Sequence, residues 1–334
     1  LVNYCTFDGT SFSDLEVVHE EKISPLYYIK YGPLVLATTR PETKFGDTAV
    51  AVHPNDKRYK KYISQEIEIE TVLGKAKIKV IADKMVDPNF GTGVVKITPA
   101  HDFNDFETGK RHSLPLKQVI GFDGKMNEHA GKFAGLYIKQ ARKMVVQDLQ
   151  KKGLIEKIDE NYKNRLSLCY KCKNVLEPLP LEQWFVKVDG LKKQAIDAVR
   201  RGNAEDTPSG IKITPKRFEN IYFDWLENLR DWNISRQIVW GINIPAYKCQ
   251  RQATSDKRQA EWFVSVEKPD KCQICEDCKF EQDSDTLDTW FSSSQWPYLT
   301  LKTGKTGDFE KFYPTSVMET GYDLLKAWVS RMIM

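Results

Sequence analysis

No apolar run in this 334-residue chain approaches the ~20 residues needed to cross a bilayer, so a membrane-spanning helix is not expected. The start, Leu1-Val2-Asn3-Tyr4-Cys5, lacks a basic segment followed by an apolar one, so it does not read as a secretion signal. A cytoplasmic, monomeric protein is the expectation. Charge of one sign is also missing: the net charge is +4, from 50 Lys+Arg against 46 Asp+Glu. That is far from the basic stripe by which a protein holds nucleic acid through charge alone; it permits RNA binding without arguing for it. Internal repeats and low-complexity tracts are absent. Histidine is scarce, with five in all, and no serine or cysteine stands in a nucleophile motif. What remains is an ordinary globular composition, 41% hydrophobic and 29% charged, on a chain long enough for two or more domains.

Cysteine is present, and its spacing is informative. Cys169-x-x-Cys172 and Cys272-x-x-Cys275-x-x-Cys278 have metal-knuckle spacing, and without a secretion signal this favours zinc over disulfides. Hydrophobic patterning predicts strands over 33–39 and 48–52, a hairpin of 67–72 with 76–81 around Gly74-Lys75, and a strand over 93–98. A short helix is predicted over 102–112 with Asp102 as its N-cap, and an amphipathic helix over 138–152 stopped by Gly153. Strands with few helices and no βαβ rhythm suggest a β-rich α+β domain over 18–165. All eight tryptophans follow Cys172, so a different domain is expected over 166–334, with a loop at 250–259.

Two segments put polar groups directly after apolar strands. Thr38-Thr39-Arg40-Pro41-Glu42-Thr43 follows Leu34 to Ala37. Gly91 to Glu107 combines a glycine turn, a buried-strand pattern, Lys96, Thr98, Asp102 and Asp105. Each feature alone has a plain meaning: Gly91 and Gly93 make a tight turn, and Asp102 caps a helix. Together they resemble the editing domain of the class I aminoacyl-tRNA synthetases for branched aliphatic amino acids. The wording Lys96-Ile97-Thr98-Pro99-Ala100-His101-Asp102 is similar to the valyl branch rather than the isoleucyl one, although Phe103 stands where valyl enzymes commonly have proline.

The resemblance implies hydrolysis of threonine mischarged onto tRNA(Val), because an apolar valine pocket cannot strongly reject an isostere that adds a hydroxyl. It implies that Arg40 and Thr43 lie over the terminal adenosine and the ester, that Lys96 and Thr98 contact the threonyl side chain or carbonyl, and that Asp102 and Asp105 hold the ammonium group. Phe90 would wall the pocket, water would be the nucleophile, and His101 would be structural. For zinc it implies one site of Cys5, Asp8, Cys169 and Cys172, in which Asp8 is either the fourth ligand or a turn cap. A second would use Cys249, Cys272, Cys275 and Cys278, since Gln252 occupies the position of the family's cysteine.

Further segments extend the resemblance to a Rossmann-like catalytic core. Trp290, Leu324 and Trp328 would line its valine pocket, and Thr320, Gly321 and Asp323 would lie toward the adenylate, with Ile242 where many valyl enzymes have histidine. The full expectation is an α/β and α+β multidomain chain. Residues 1–17 form a connection, 18–165 an inserted editing domain, and 166–334 a partial core with a zinc insertion around 245–284. The complete enzyme would need ATP and Mg2+. This chain lacks the His-x-Gly-His segment and the Lys-Met-Ser-Lys-Ser loop of the class, so as a fragment it is not expected to activate valine. A zinc-stabilised tRNA-binding module without turnover is the reading of a different class.

Overall fold

In the first half of the chain, β1 (Val2–Cys5) pairs antiparallel with β2 (Thr10–Phe12) on one edge and with the Glu177–Leu179 strand on the other, so segments far apart in sequence share one sheet. The computed structural model describes residues 1–202, 210–249, 262–272 and 279–334. These fall into two units, Leu1–Glu182 and Gln183–Met334.

β3 (Val17–Tyr31) turns at Gly32 into β4 (Leu34–Thr38) and also pairs along its length with the Ile155–Cys169 strand. The sequence did not announce this long ribbon. In β3 only Leu26, Ile29 and Tyr31 are buried, so the alternation that marks a half-buried strand is missing.

A four-stranded sheet follows, with β5 (Ala49–Val52) in its interior between β7 (Gly74–Ala82) and β8 (Val94–Ile97), and β6 (Glu66–Thr71) outside β7. The expected hairpin is present as β6–β7, with Ile67 opposite Ile78. β5 is Ala-Val-Ala-Val and buried throughout. Val50 and Val52 join the main core, while Ala49 and Ala51 pack on the other face with Ile81, Val86 and Ile97. Burial on both faces is why this strand reads as a continuous apolar run.

α1 (Phe103–Arg111) begins at Asp102, whose carboxylate accepts the N–H groups of Asn104 (2.8 Å) and Asp105 (3.0 Å). α2 (Ile138–Lys151) turns Ala141, Val145 and Leu149 into the core and ends before Gly153, whose φ of +66° suits a residue without a Cβ. Full burial of a side chain such as Val145 or Leu149 contributes roughly 1.5–3 kcal/mol.

The second unit contains helices Asp189–Gly202 and Glu219–Glu227, which bury Ala195, Ile196, Val199, Tyr222 and Leu226 with Trp232 and Leu325. A three-stranded sheet joins Ala246–Cys249 to Trp262–Val264 and Phe280–Gln282. All its described ladders are antiparallel, so the parallel sheet implied by a Rossmann-like core is not among them. The loop expected at 250–259 lies outside the described residues.

Candidate active site

Strand pairing brings the two polar segments together. The chain leaves β4 at Thr38 and makes a buried 3-10 turn over Pro41–Gly46, with Pro41 at its start, where a missing N–H costs nothing. It then enters β5, whose antiparallel partner β8 carries Lys96 opposite Val50. Thr92 Oγ1 donates to the Val35 carbonyl (2.6 Å), tying the glycine turn to β4. Gly91 and Gly93 have φ of +58° and +76°, and a Cβ on Gly93 would stand 2.9 Å from the Pro88 carbonyl oxygen.

Lys96 is the centre of this arrangement. Its Nζ donates to Thr43 Oγ1 (2.9 Å), to Asp47 Oδ1 (3.3 Å) and to Thr98 Oγ1, which matches the three donors of an ammonium group. Thr98 Oγ1 in turn donates to Asp47 Oδ1 (2.6 Å), and Tyr31 donates to Asp47 Oδ2 (2.6 Å). Thr43 Oγ1 donates to the Arg40 carbonyl (3.0 Å). Asp105 joins from α1: its Oδ2 accepts the backbone N–H of Thr98 (2.8 Å). Burial, and then the charge of Asp102, push the Asp105 carboxyl up to about 7.

The remaining expected residues lie around this cluster. Asp102 is exposed and occupied as the helix cap. Arg40 reaches the cluster by its carbonyl, while its guanidinium is turned to Glu42 (3.2 Å) and to Glu177. Arg142 completes this buried ionic group with two hydrogen bonds to Glu42 (2.8 and 2.7 Å). Burial opposes ionisation of Glu42, but Arg142 and Arg40 hold its carboxyl below the usual range. Phe90 is 45% exposed and meets Tyr162 edge-on with centroids 6.2 Å apart. His101 accepts the Val119 N–H at Nε2 (2.8 Å), so that nitrogen carries no proton. Burial, with the charges of Arg40 and Lys96, keeps the ring down to about 3.

Sequence reasoning passed over Asp47, Tyr31, Glu42, Arg142 and Glu177. Asp47 had a faint signal, since Gly46-Asp47-Thr48 ends the same turn that carries Thr43. Tyr31 and Glu177 had none, because only the β3 and Glu177–Leu179 pairings place them here.

A second group is separate. Cys5, Asp8, Cys169 and Cys172 offer ligand atoms that all lie within 4.8 Å of one another. The Cys5 and Cys172 sulfurs are 3.5 Å apart, and Asp8 Oδ2 is 3.2 Å from Cys5 Sγ and 3.1 Å from Cys169 Sγ. Three thiols and a carboxylate at these separations fit a tetrahedral zinc site, and Asp8 turns its side chain to the sulfurs. Of the other cysteine group, Cys249 and Cys272 pack together with Tyr247 and Phe280, whereas Cys275 and Cys278 lie outside the described residues.

In the second unit, Trp290 lies half-buried against the helical core, and Trp328 donates from Nε1 to the Ser293 carbonyl (2.9 Å). Leu324 is half-buried, while its neighbour Leu325 enters the core. Thr320, Gly321 and Asp323 sit together on one turn just before it.

The family model for tRNA synthetases class I (I, L, M and V) matches residues 1–334, and the chain belongs to that family. Within it, the chain is similar over its whole length to the valine--tRNA ligases of Petrotoga mobilis (46% identical), Thermotoga maritima (44%) and Carboxydothermus hydrogenoformans (46%). It spans 37% of the first and third of these relatives and 38% of the second. No helix among the described residues is long and apolar enough to cross a membrane.

The titration of Asp105 has a definite sign. Between its unfolded value near 4 and about 7, the folded chain holds a proton that the unfolded chain releases, so this carboxyl's contribution to stability falls as pH rises through that window. His101, held neutral, works in the opposite direction between about 3 and 6.5. The difference between wild type and Asp105→Asn isolates the first effect. Urea unfolding at pH 5 and pH 8 should show the variant gaining on the wild type at pH 8, by up to a few kcal/mol.

Proposed function

We propose that the cluster around Lys96 is a hydrolytic pocket that removes threonine from mischarged tRNA(Val), within an editing domain of a valine--tRNA ligase. The observation that carries this reading is the convergence, inside an apolar core, of one ammonium, two threonine hydroxyls and two carboxylates from the segments after β4 and around β8. An aliphatic side chain has no use for such groups, whereas a hydroxylated one has. The sequence similarity to valine--tRNA ligases supports the choice of valyl over isoleucyl.

The chemistry needs no protein nucleophile, because an aminoacyl ester is already activated. Water adds to the ester carbonyl, the bond to the ribose oxygen breaks, and that oxygen leaves with a proton as threonine is freed. Lys96 supplies fixed positive charge beside the developing oxyanion. Asp105 spends one oxygen on the Thr98 N–H, and its other oxygen carries no protein partner among the described residues. It is the group placed to receive the substrate ammonium or the proton of the attacking water. Asp102 adds negative charge at the mouth, Phe90 forms an apolar wall there, and Arg40 with Thr43 borders the position of the terminal adenosine.

In the complete ligase, the residues after Glu182 would contribute to valine and ATP·Mg2+ binding. Trp290, Leu324 and Trp328 would face the amino acid, with Thr320, Gly321 and Asp323 near the adenylate. Cys5, Asp8, Cys169 and Cys172 would hold a structural zinc ion. With all four positions supplied by protein, such an ion would leave none open for catalysis.

Two measurements test this. Asp105→Ala should abolish deacylation of Thr-tRNA(Val) while sparing tRNA binding; equal hydrolysis by both proteins removes the residue from the mechanism. A zinc-stabilised module without turnover would instead bind tRNA and leave the ester intact in the wild type. Elemental analysis should find zinc, and Cys169→Ser should lower the content by one ion per chain; an unchanged content would exclude the proposed site.

A further inference from the structure

We infer that Asp47, steadied by Tyr31, is the specificity-determining residue of this pocket, because it fixes the direction of the Thr98 hydrogen bond and so makes the pocket an acceptor of hydroxyl protons. This rests on the editing reading and extends it to a residue that takes no part in the ester chemistry.

Asp47 pairs with the Lys96 ammonium (3.3 Å) as a carboxylate, and a carboxylate only accepts. The Thr98 hydroxyl, 2.6 Å from the same oxygen, must therefore donate to it. Its lone pairs are then what remain, and Lys96, which has no acceptor, takes one of them. Thr43 is constrained likewise: its proton goes to the Arg40 carbonyl and one lone pair to Lys96. Each threonine oxygen keeps a single lone pair and no free proton.

Both threonines are about 1% exposed, and the Lys96 side chain is the more open at 10%, against 3% for Asp47. An entering group therefore reaches the threonines by way of Lys96. The three Lys96 donors are already taken, so what the cluster offers a threonyl hydroxyl is a free threonine lone pair to which it can donate. The methyl that valine carries in its place cannot donate and would leave that lone pair buried and unpaired, which is a strong basis for rejection. Tyr31 secures the arrangement from the far side. Its hydroxyl holds Asp47 Oδ2 at 2.6 Å, which leaves Oδ1 toward Thr98 and Lys96.

In Asp47→Asn the shape is kept, but the amide can turn its NH2 toward Thr98 and reverse that bond. The test measures kcat/KM for deacylation of Thr-tRNA(Val) and of Val-tRNA(Val) by the full-length protein. In the wild type the threonyl ester should be strongly preferred. Asp47→Asn should reduce the preference about tenfold or more, and Tyr31→Phe should reduce it in the same direction by less. If both variants slow the two esters by one common factor, Asp47 is merely structural and the inference is overturned. Tyr31→Phe, which removes only a hydroxyl, decides the matter should Asp47→Asn not fold. A wild type that deacylates neither ester overturns the editing reading itself, and the inference with it.

Discussion

The account depends on one buried ammonium group. Lys96 sits on a central sheet with its cation below the surface, a placement that is costly unless its donors are met and its charge is paired. Thr43, Thr98 and Asp47 meet those donors, and Asp47 balances the charge. The 3-10 turn after β4 and the strand β8 are therefore held to one another by the polar cluster as well as by β5 between them. The same interaction that satisfies the lysine gathers a polar cluster inside a hydrophobic unit.

The surrounding structure serves this constraint in layers. β5, buried on both faces, sets the register between the two polar segments. Helix α1, capped by Asp102, presents Asp105 to the Thr98 backbone. Outside the cluster, Arg40, Glu42, Arg142 and Glu177 form a second buried polar group that ties the turn to α2 and to the Glu177–Leu179 strand. Removing one member of such a group leaves an unpaired buried charge, at a cost of about 3–5 kcal/mol. His101, expected to be structural, accepts the Val119 backbone N–H.

Much of this was legible in the sequence, for physical reasons. The hairpin β6–β7, the helix over Ile138–Lys151 and the Asp102 cap all obey local rules of alternation, helical period and capping, and the structure shows all three. Thr43, Lys96, Thr98 and Asp105 were readable as a set because two short motifs carry them. What escaped depends on long-range pairing. The first half of β3 buries no residue on either face and hence shows no alternation. Tyr31, Glu177 and Arg142 reach the site only through tertiary contacts, which no local pattern encodes. Asp47 sat in plain view at the end of the turn, but as a lone aspartate before a strand it carried no more meaning than a turn residue.

The most direct measurement follows the Lys96 ammonium by nitrogen-15 NMR while the protein is titrated with a non-hydrolysable threonyl-adenosine amide and then with its valyl counterpart. The account predicts that the threonyl compound shifts the Lys96 signal and the valyl compound leaves it in place. Binding of the threonyl compound without any change at Lys96 would contradict it.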